Sequence, residues 1–145
     1  MTHDNYNLNR FLEAQRDIYP IALTELQEGH KRSHWMWYIF PQLKHLGHSY
    51  NSKFYGIEGT EEARAYLDQP VLAKRLREAC MAILNLPTDD AYEIFGGIDS
   101  HKLKSSMTLF DVVSPDDIFA RILDKFFRGH RDHRTLTILK RAPVE

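Results

Sequence analysis

The chain has 145 residues, of which 43% are apolar, 27% charged and 12% aromatic. That composition builds one hydrophobic core and excludes both a disordered chain and a disulfide-stapled miniprotein. A formal net charge of −1 supplies no field that would steer the molecule onto nucleic acid or an anionic membrane.

Cys80 is the only cysteine, which rules out an internal disulfide and fits a reducing compartment. The polar start Met1-Thr2-His3-Asp4-Asn5 has no apolar signal core. The longest apolar run, Trp35 to Phe40, is six residues, too short for a bilayer span. The expected address is cytoplasmic.

In chain order, Leu8, Phe11, Leu12, Gln15, Ile18 and Tyr19 repeat at helical spacing until Pro20 interrupts. A second short helix follows from Ile21 to Glu28 and ends at Gly29. The segments Trp35 to Phe40 and Tyr50 to Ile57 are ambiguous by period. With no clear strand to pair with, Trp35 to Phe40 is read as a helical turn or irregular buried segment, and a small hairpin stays open. Thr60 is expected to cap a helix with Glu61 and Glu62 in its first turn. Pro70 opens a longer helix that carries Leu72, Leu76, Ala79, Cys80 and Ile83 along one face, and its thiol reads as a buried structural group.

Asp89 or Asp90 starts a short helix stopped by Gly96-Gly97, and Asp99 is expected to cap the next, with Leu103, Met107 and Phe110 inward. Ser114-Pro115-Asp116-Asp117 reads as N-cap, N1 proline and acidic first turn. Ile118, Phe119, Ile122, Leu123, Phe126 and Phe127 then follow, and Gly129 closes the run. A last helix is expected from about Arg131 to Lys140, burying Leu136 and Leu139. The whole, residues 1–145, is an all-α single compact domain of about seven to eight mostly short helices in orthogonal-type packing.

Two segments stand out from this plain background. Lys31 to Gln42 joins two cations, His34, the aromatics Trp35, Trp37, Tyr38 and Phe40, and Gln42. Such a set can stack a flat ring, hold a phosphate and offer a proton donor. Asp99 to Phe110 places Asp99, Lys102 and Ser106 on adjoining helical turns, beside an apolar face. Against these stands the plain alternative of core aromatics, solvated cations and tolerated serines.

The histidine groups His30/His34, His45/His48 and His130/His133 lack the ligand sets of a metal site, so no metal and no cofactor are assigned. The basic C-terminal stretch occupies polar helix faces.

On these residues the chain resembles an uncharacterised bacterial family of small all-α proteins often labelled "calpastatin". The shared stretches are Phe11-Leu12-Glu13-Ala14-Gln15 with Tyr19, Ser33-His34-Trp35-Met36-Trp37 with Phe40-Pro41-Gln42, Ala65-Tyr66-Leu67 before Pro70-Val71-Leu72, and Lys102 before Ser105-Ser106-Met107-Thr108-Leu109-Phe110. The resemblance implies a helical fold and brings no established activity. The label itself is rejected, because calpain inhibitors of that name are disordered whereas this composition builds a core.

A fainter likeness is to a helical superfamily proposed to act on NAD- and ADP-ribose-related molecules. It rests on Phe11 to Gln15, Ala73-Lys74-Arg75-Leu76-Arg77, and Lys102/Met107 followed by Lys125-Phe126. This likeness implies N-glycosidic chemistry.

The leading expectation is a ligand-binding protein or enzyme for an anionic, nucleotide-like or phosphorylated small molecule. Trp35 and Trp37 would stack, Lys31 and Lys102 would recognise the anion, and Gln15, Gln42 and Ser106 would orient it. His34 and Asp99 would be the acid–base groups. The alternative from another class is a protein-interaction module using an exposed aromatic segment 35–40. A purely structural role for both segments stays open.

Overall fold

In the computed structural model, which describes residues 6–141, α1 (Asn9–Glu28) runs unbroken through Pro20. The two helices expected on either side of the proline are therefore one. Pro20 sits on the exposed side of the helix, while Phe11, Gln15, Tyr19, Ala22 and Leu26 keep one buried stripe in register across it. Burial of that stripe outweighs the local cost of the missing N–H, about 3 kcal/mol. Gly29 ends the helix in the left-handed region at φ 78°, as its sequence position predicts.

The chain then forms α2 (Met36–Ile39), a 3₁₀ turn (Lys44–Leu46) and α3 (Tyr50–Phe54). The stretch from 44 to 56 is a strap whose ends are pinched together. Lys44 donates its N–H to Ile57 at 2.8 Å, and Ile57 donates to Gln42 at 2.9 Å. Among the described residues there is, in place of a hairpin, a single parallel bridge, Leu43 to Ile57.

The remaining helices are α4 (Thr60–Asp68), α5 (Pro70–Leu84), α6 (Ala91–Val113), α7 (Ile118–Phe127) and α8 (His133–Arg141). Thr60 does not cap α4, since Gly59 precedes the helix and no side chain caps it. Instead Glu62, in the first turn, accepts the N–H of Glu58 at 2.9 Å and pairs with Arg10 at 2.8 Å.

The helices expected to stop at Gly96-Gly97 and restart at Asp99 are the two legs of α6, bent where Gly96 adopts φ 80°. The second leg resumes ahead of Asp99, so its carboxylate does not cap the helix. Likewise α6 extends to Val113 and takes Ser114 as its C-terminal residue. The cap of α7 is Asp117, which accepts the N–H of Ile118 at 2.6 Å and the hydroxyl of Ser114 at 2.7 Å. At α8, Thr135 is buried while Leu136 and Leu139 are half-buried.

Helix α6 packs on α4, α7 and α8, and α5 packs on α1, α4 and α7. A line of edge-on and tilted rings crosses the interior. Phe11 to Tyr66 is 5.1 Å, Tyr66 to Phe110 is 5.4 Å, and Phe110 to Phe119 is 5.5 Å. Cys80 lies in this core with its sulfur 3.7 Å from that of Met107, and burial pushes its thiol well above the usual range. Among the described residues no helix is long and apolar enough to cross a membrane. The polar stretch Met1 to Asn5 lies outside the described residues.

Candidate functional site

The turn leaving α1 is built on one buried acid. Glu25 accepts the backbone N–H of Arg32 at 2.9 Å and of Ser33 at 3.0 Å, the Ser33 hydroxyl at 2.6 Å and the Trp35 indole N–H at 2.9 Å. Burial alone would raise this carboxyl, but the donors, led by the Ser33 hydroxyl, bring it down to about 2. An ionised acid thus fixes residues 32 to 35. The N–H of Lys31, donated to Ile94 at 2.9 Å, ties the same turn to the first leg of α6.

The bend at Gly96 then carries Asp99 back toward Lys31. The Asp99 carboxylate lies 2.9 Å from the Lys31 ammonium and 3.7 Å from that of Lys102. Each ammonium also stands over an indole, Lys31 at 5.0 Å from Trp35 and Lys102 at 4.7 Å from Trp37. The Lys31 side chain is 9% exposed, Asp99 20% and Lys102 21%. Segments some seventy residues apart are joined here by two cations sharing one carboxylate.

A cleft of about 340 Å³ opens from Lys102 between the second leg of α6, the start of α8 and the strap. Gln42, Ser52, His101, Lys102, Ser105 and Arg134 supply its polar wall, and Ile98 part of its apolar wall. Asp132 also lines it, but its carboxylate is engaged in capping α8, accepting the N–H of Thr135 at 2.9 Å and its hydroxyl at 2.6 Å. Thr108 accepts the N–H of Asp132 at 2.8 Å and so anchors the start of α8, which carries Arg134, on α6. Beside the cleft, Trp37, Gln42, Asn51, Ser52, Tyr55 and Lys102 line a recess of about 10 Å³.

The other candidates named from sequence are distributed differently. Gln15 is buried in a separate network, where it donates to the Tyr38 carbonyl at 2.7 Å and the Tyr66 oxygen at 3.2 Å, and accepts from Arg75 at 3.3 Å. Trp35 is 0% exposed, so its ring faces the interior and Lys31 and offers no face to a ligand. His34 is exposed, as is every described histidine. Ser106 is fully buried one turn beyond Lys102, and its hydroxyl has no partner among the described residues. Trp35, Met36, Ile39 and Phe40 are all buried, which leaves the segment 35–40 without a contiguous exposed aromatic face. Among the described residues no group of three or more His, Cys, Asp or Glu side chains could hold a metal ion.

Sequence reading missed Glu25, Ser52, His101, Ser105 and Arg134. Glu25 carried a signal, an acid at a position spaced three from Ala22 on the buried stripe of α1. Ser52 and Arg134 carried none, because only the folding of the strap and of α8 against α6 brings them to the cleft.

The family described as "Protein of unknown function (DUF1810)" matches residues 5–139. The chain belongs to the DUF1810 family. The crystal structure of the conserved hypothetical protein Rv1873 from Mycobacterium tuberculosis is similar to this DUF1810 chain, with a TM-score of 0.92 and 40% sequence identity. The match covers 95% of this chain and 99% of that one. A comparison with curated proteins finds no match. Membership in DUF1810 fixes the helical fold and brings no chemistry, and neither match carries a calpastatin function.

Proposed function

We propose that this protein binds a small anionic molecule, phosphorylated or nucleotide-like, in the cleft between α6, α8 and the strap. The observation that carries the reading is the pairing of Lys31 and Lys102 with the single carboxylate of Asp99. Two ammonium groups on one carboxylate leave a positive charge in a half-buried setting, and a partly desolvated charge is costly until a counter-charge arrives. Arg134 and His101 extend donors along the same wall, and the volume falls at the lower end of the range of small-molecule sites.

In this reading Lys102 contacts the anion and Asp99 positions Lys102. Lys31 holds Asp99 from behind, and Gln42, Ser52 and Ser105 orient the ligand by hydrogen bonds. His34, exposed on the turn before α2, takes no part, and the reading is one of recognition rather than acid–base catalysis.

The test is a thermal-shift panel of inorganic phosphate, ribose 5-phosphate, AMP and ADP-ribose, with ribose as the uncharged control. A ligand held only by the folded state adds about 2.7 kcal/mol at a hundred times its dissociation constant. Stabilisation by at least one of the phosphorylated compounds and none by ribose is expected. A flat response across all four phosphorylated compounds contradicts the reading.

A further inference from the structure

The two indoles of the chain are treated very differently by the fold. Trp35 donates its N–H to Glu25, whereas the Trp37 Nε1 is buried with no hydrogen-bond partner among the described residues. Buried donors without acceptors are rare in native proteins, and each calls for an explanation such as a bound group. Trp37 forms one wall of the small recess, and the Lys102 ammonium lies over its ring at 4.7 Å. Ser106, the other described residue with a buried, unpartnered side-chain polar atom, sits one turn beyond Lys102 on α6. Of the two, only Trp37 lines the recess and lies beneath the Lys102 ammonium.

The recess is also continuous in its lining with the cleft. Gln42, Ser52 and Lys102 are walls of both, so the recess adjoins the cleft at Lys102. Its volume of about 10 Å³ is the space of roughly one small oxygen-sized probe. A whole phosphoryl group is too large for it, and a single oxygen of one is not.

Resting on the reading above, we infer that the ligand is a phosphate monoester, one of whose oxygens enters this recess and accepts the Trp37 indole N–H beside the Lys102 ammonium. The remaining oxygens stay in the cleft, within the reach of Arg134 and His101 at its wall. A phosphoryl oxygen accepts from an indole N–H and an ammonium together, and charge assistance strengthens both bonds. Trp37 is on this account the residue that selects an oxyanion over a neutral ligand of the same size.

The chain contains two tryptophans, so a nitrogen-15 proton correlation spectrum shows two indole signals, which Trp37→Phe assigns. On titration of the wild-type protein with ribose 5-phosphate, the Trp37 indole signal is expected to move progressively while that of Trp35 stays in place. Trp37→Phe keeps an aromatic ring under Lys102 and removes the donor together with part of the indole's ring surface, so the indole shift in the wild-type protein is read beside it. The variant should fold and bind ribose 5-phosphate at least ten-fold more weakly. If Trp37→Phe does not fold, the two indole signals are assigned in the wild-type protein by through-bond correlation from backbone to side chain, and the shift there decides.

Should ribose 5-phosphate stabilise the wild-type protein while the Trp37 signal stays fixed and Trp37→Phe binds equally, this inference is overturned and the cleft reading stands. Should the wild-type protein bind none of ribose 5-phosphate, AMP and inorganic phosphate, the phosphate monoester is overturned here. A response to ADP-ribose, which carries a pyrophosphate diester and no monoester, would then keep the cleft reading alone.

Discussion

The carboxylate of Asp99 lies 2.9 Å from the ammonium of Lys31 and joins the turn leaving α1 to the second leg of α6. Because Lys102 approaches the same carboxylate from the other side, removing its charge strands two cations rather than one. Asp99→Asn is expected to destabilise the fold by about 2 kcal/mol. The urea midpoint should fall with an unchanged denaturant slope. An unaltered midpoint would mean that the pair is a surface contact of no consequence.

Glu25 makes the fold acid-sensitive in a defined window. Its folded value of about 2 lies below the ordinary 4.5, so the stability it contributes is complete above about pH 4.5 and is lost as pH falls toward 2. The displacement corresponds to a contribution on the order of 3 kcal/mol. Asp117, held at about 2 first by the Arg77 guanidinium, titrates in the same window. Glu25→Gln should therefore lower stability at neutral pH and flatten, without abolishing, its fall between pH 4.5 and 2. Chemical denaturation at a series of pH values reads both effects.

The strap closes only because Gly56 has no side chain. A methyl group there would overlap the backbone of Lys44 and come within 2.6 Å of the Ser52 carbonyl oxygen. Gly56→Ala is expected to cost about 2 kcal/mol through forced backbone movement. The amides of Lys44 and Ile57, which pinch the strap shut, should exchange with solvent faster than the core of α6. Uniform exchange across the molecule would indicate that the strap is not a separate opening unit.

Much of this architecture was legible in the residues themselves. The stripe Leu72, Leu76, Ala79, Cys80 and Ile83 is buried on α5, and the run from Ile118 to Phe127 is α7, because helical period and burial coincide there. Several failures are at boundaries, where a local signal served another partner. Pro20 reads as a stop but faces solvent while the stripe beneath it stays in register. Ser114 reads as an N-cap but donates to Asp117, which caps in its place.

The cluster was half legible. Lys31, Trp37, Asp99 and Lys102 were singled out by residue type, and the structure brings them together. Gln15 was also singled out, yet its hydrogen bonds tie it to Tyr38, Tyr66 and Arg75. Residue type cannot tell a polar group that faces a cleft from one that holds two helices together.

The most direct test of anion recognition at this cleft is a calorimetric titration of ribose 5-phosphate into three proteins: wild type, Lys102→Met and Lys104→Met. Lys104 shares α6 but its ammonium lies over the Phe127 ring, so it controls for the general loss of a positive charge. Lys102→Met should bind at least ten-fold more weakly, about 1.4 kcal/mol, and lose much of its dependence on ionic strength. Lys104→Met should match the wild type. Equal affinities in all three proteins would contradict a binding role for Lys102 and, with it, the central claim.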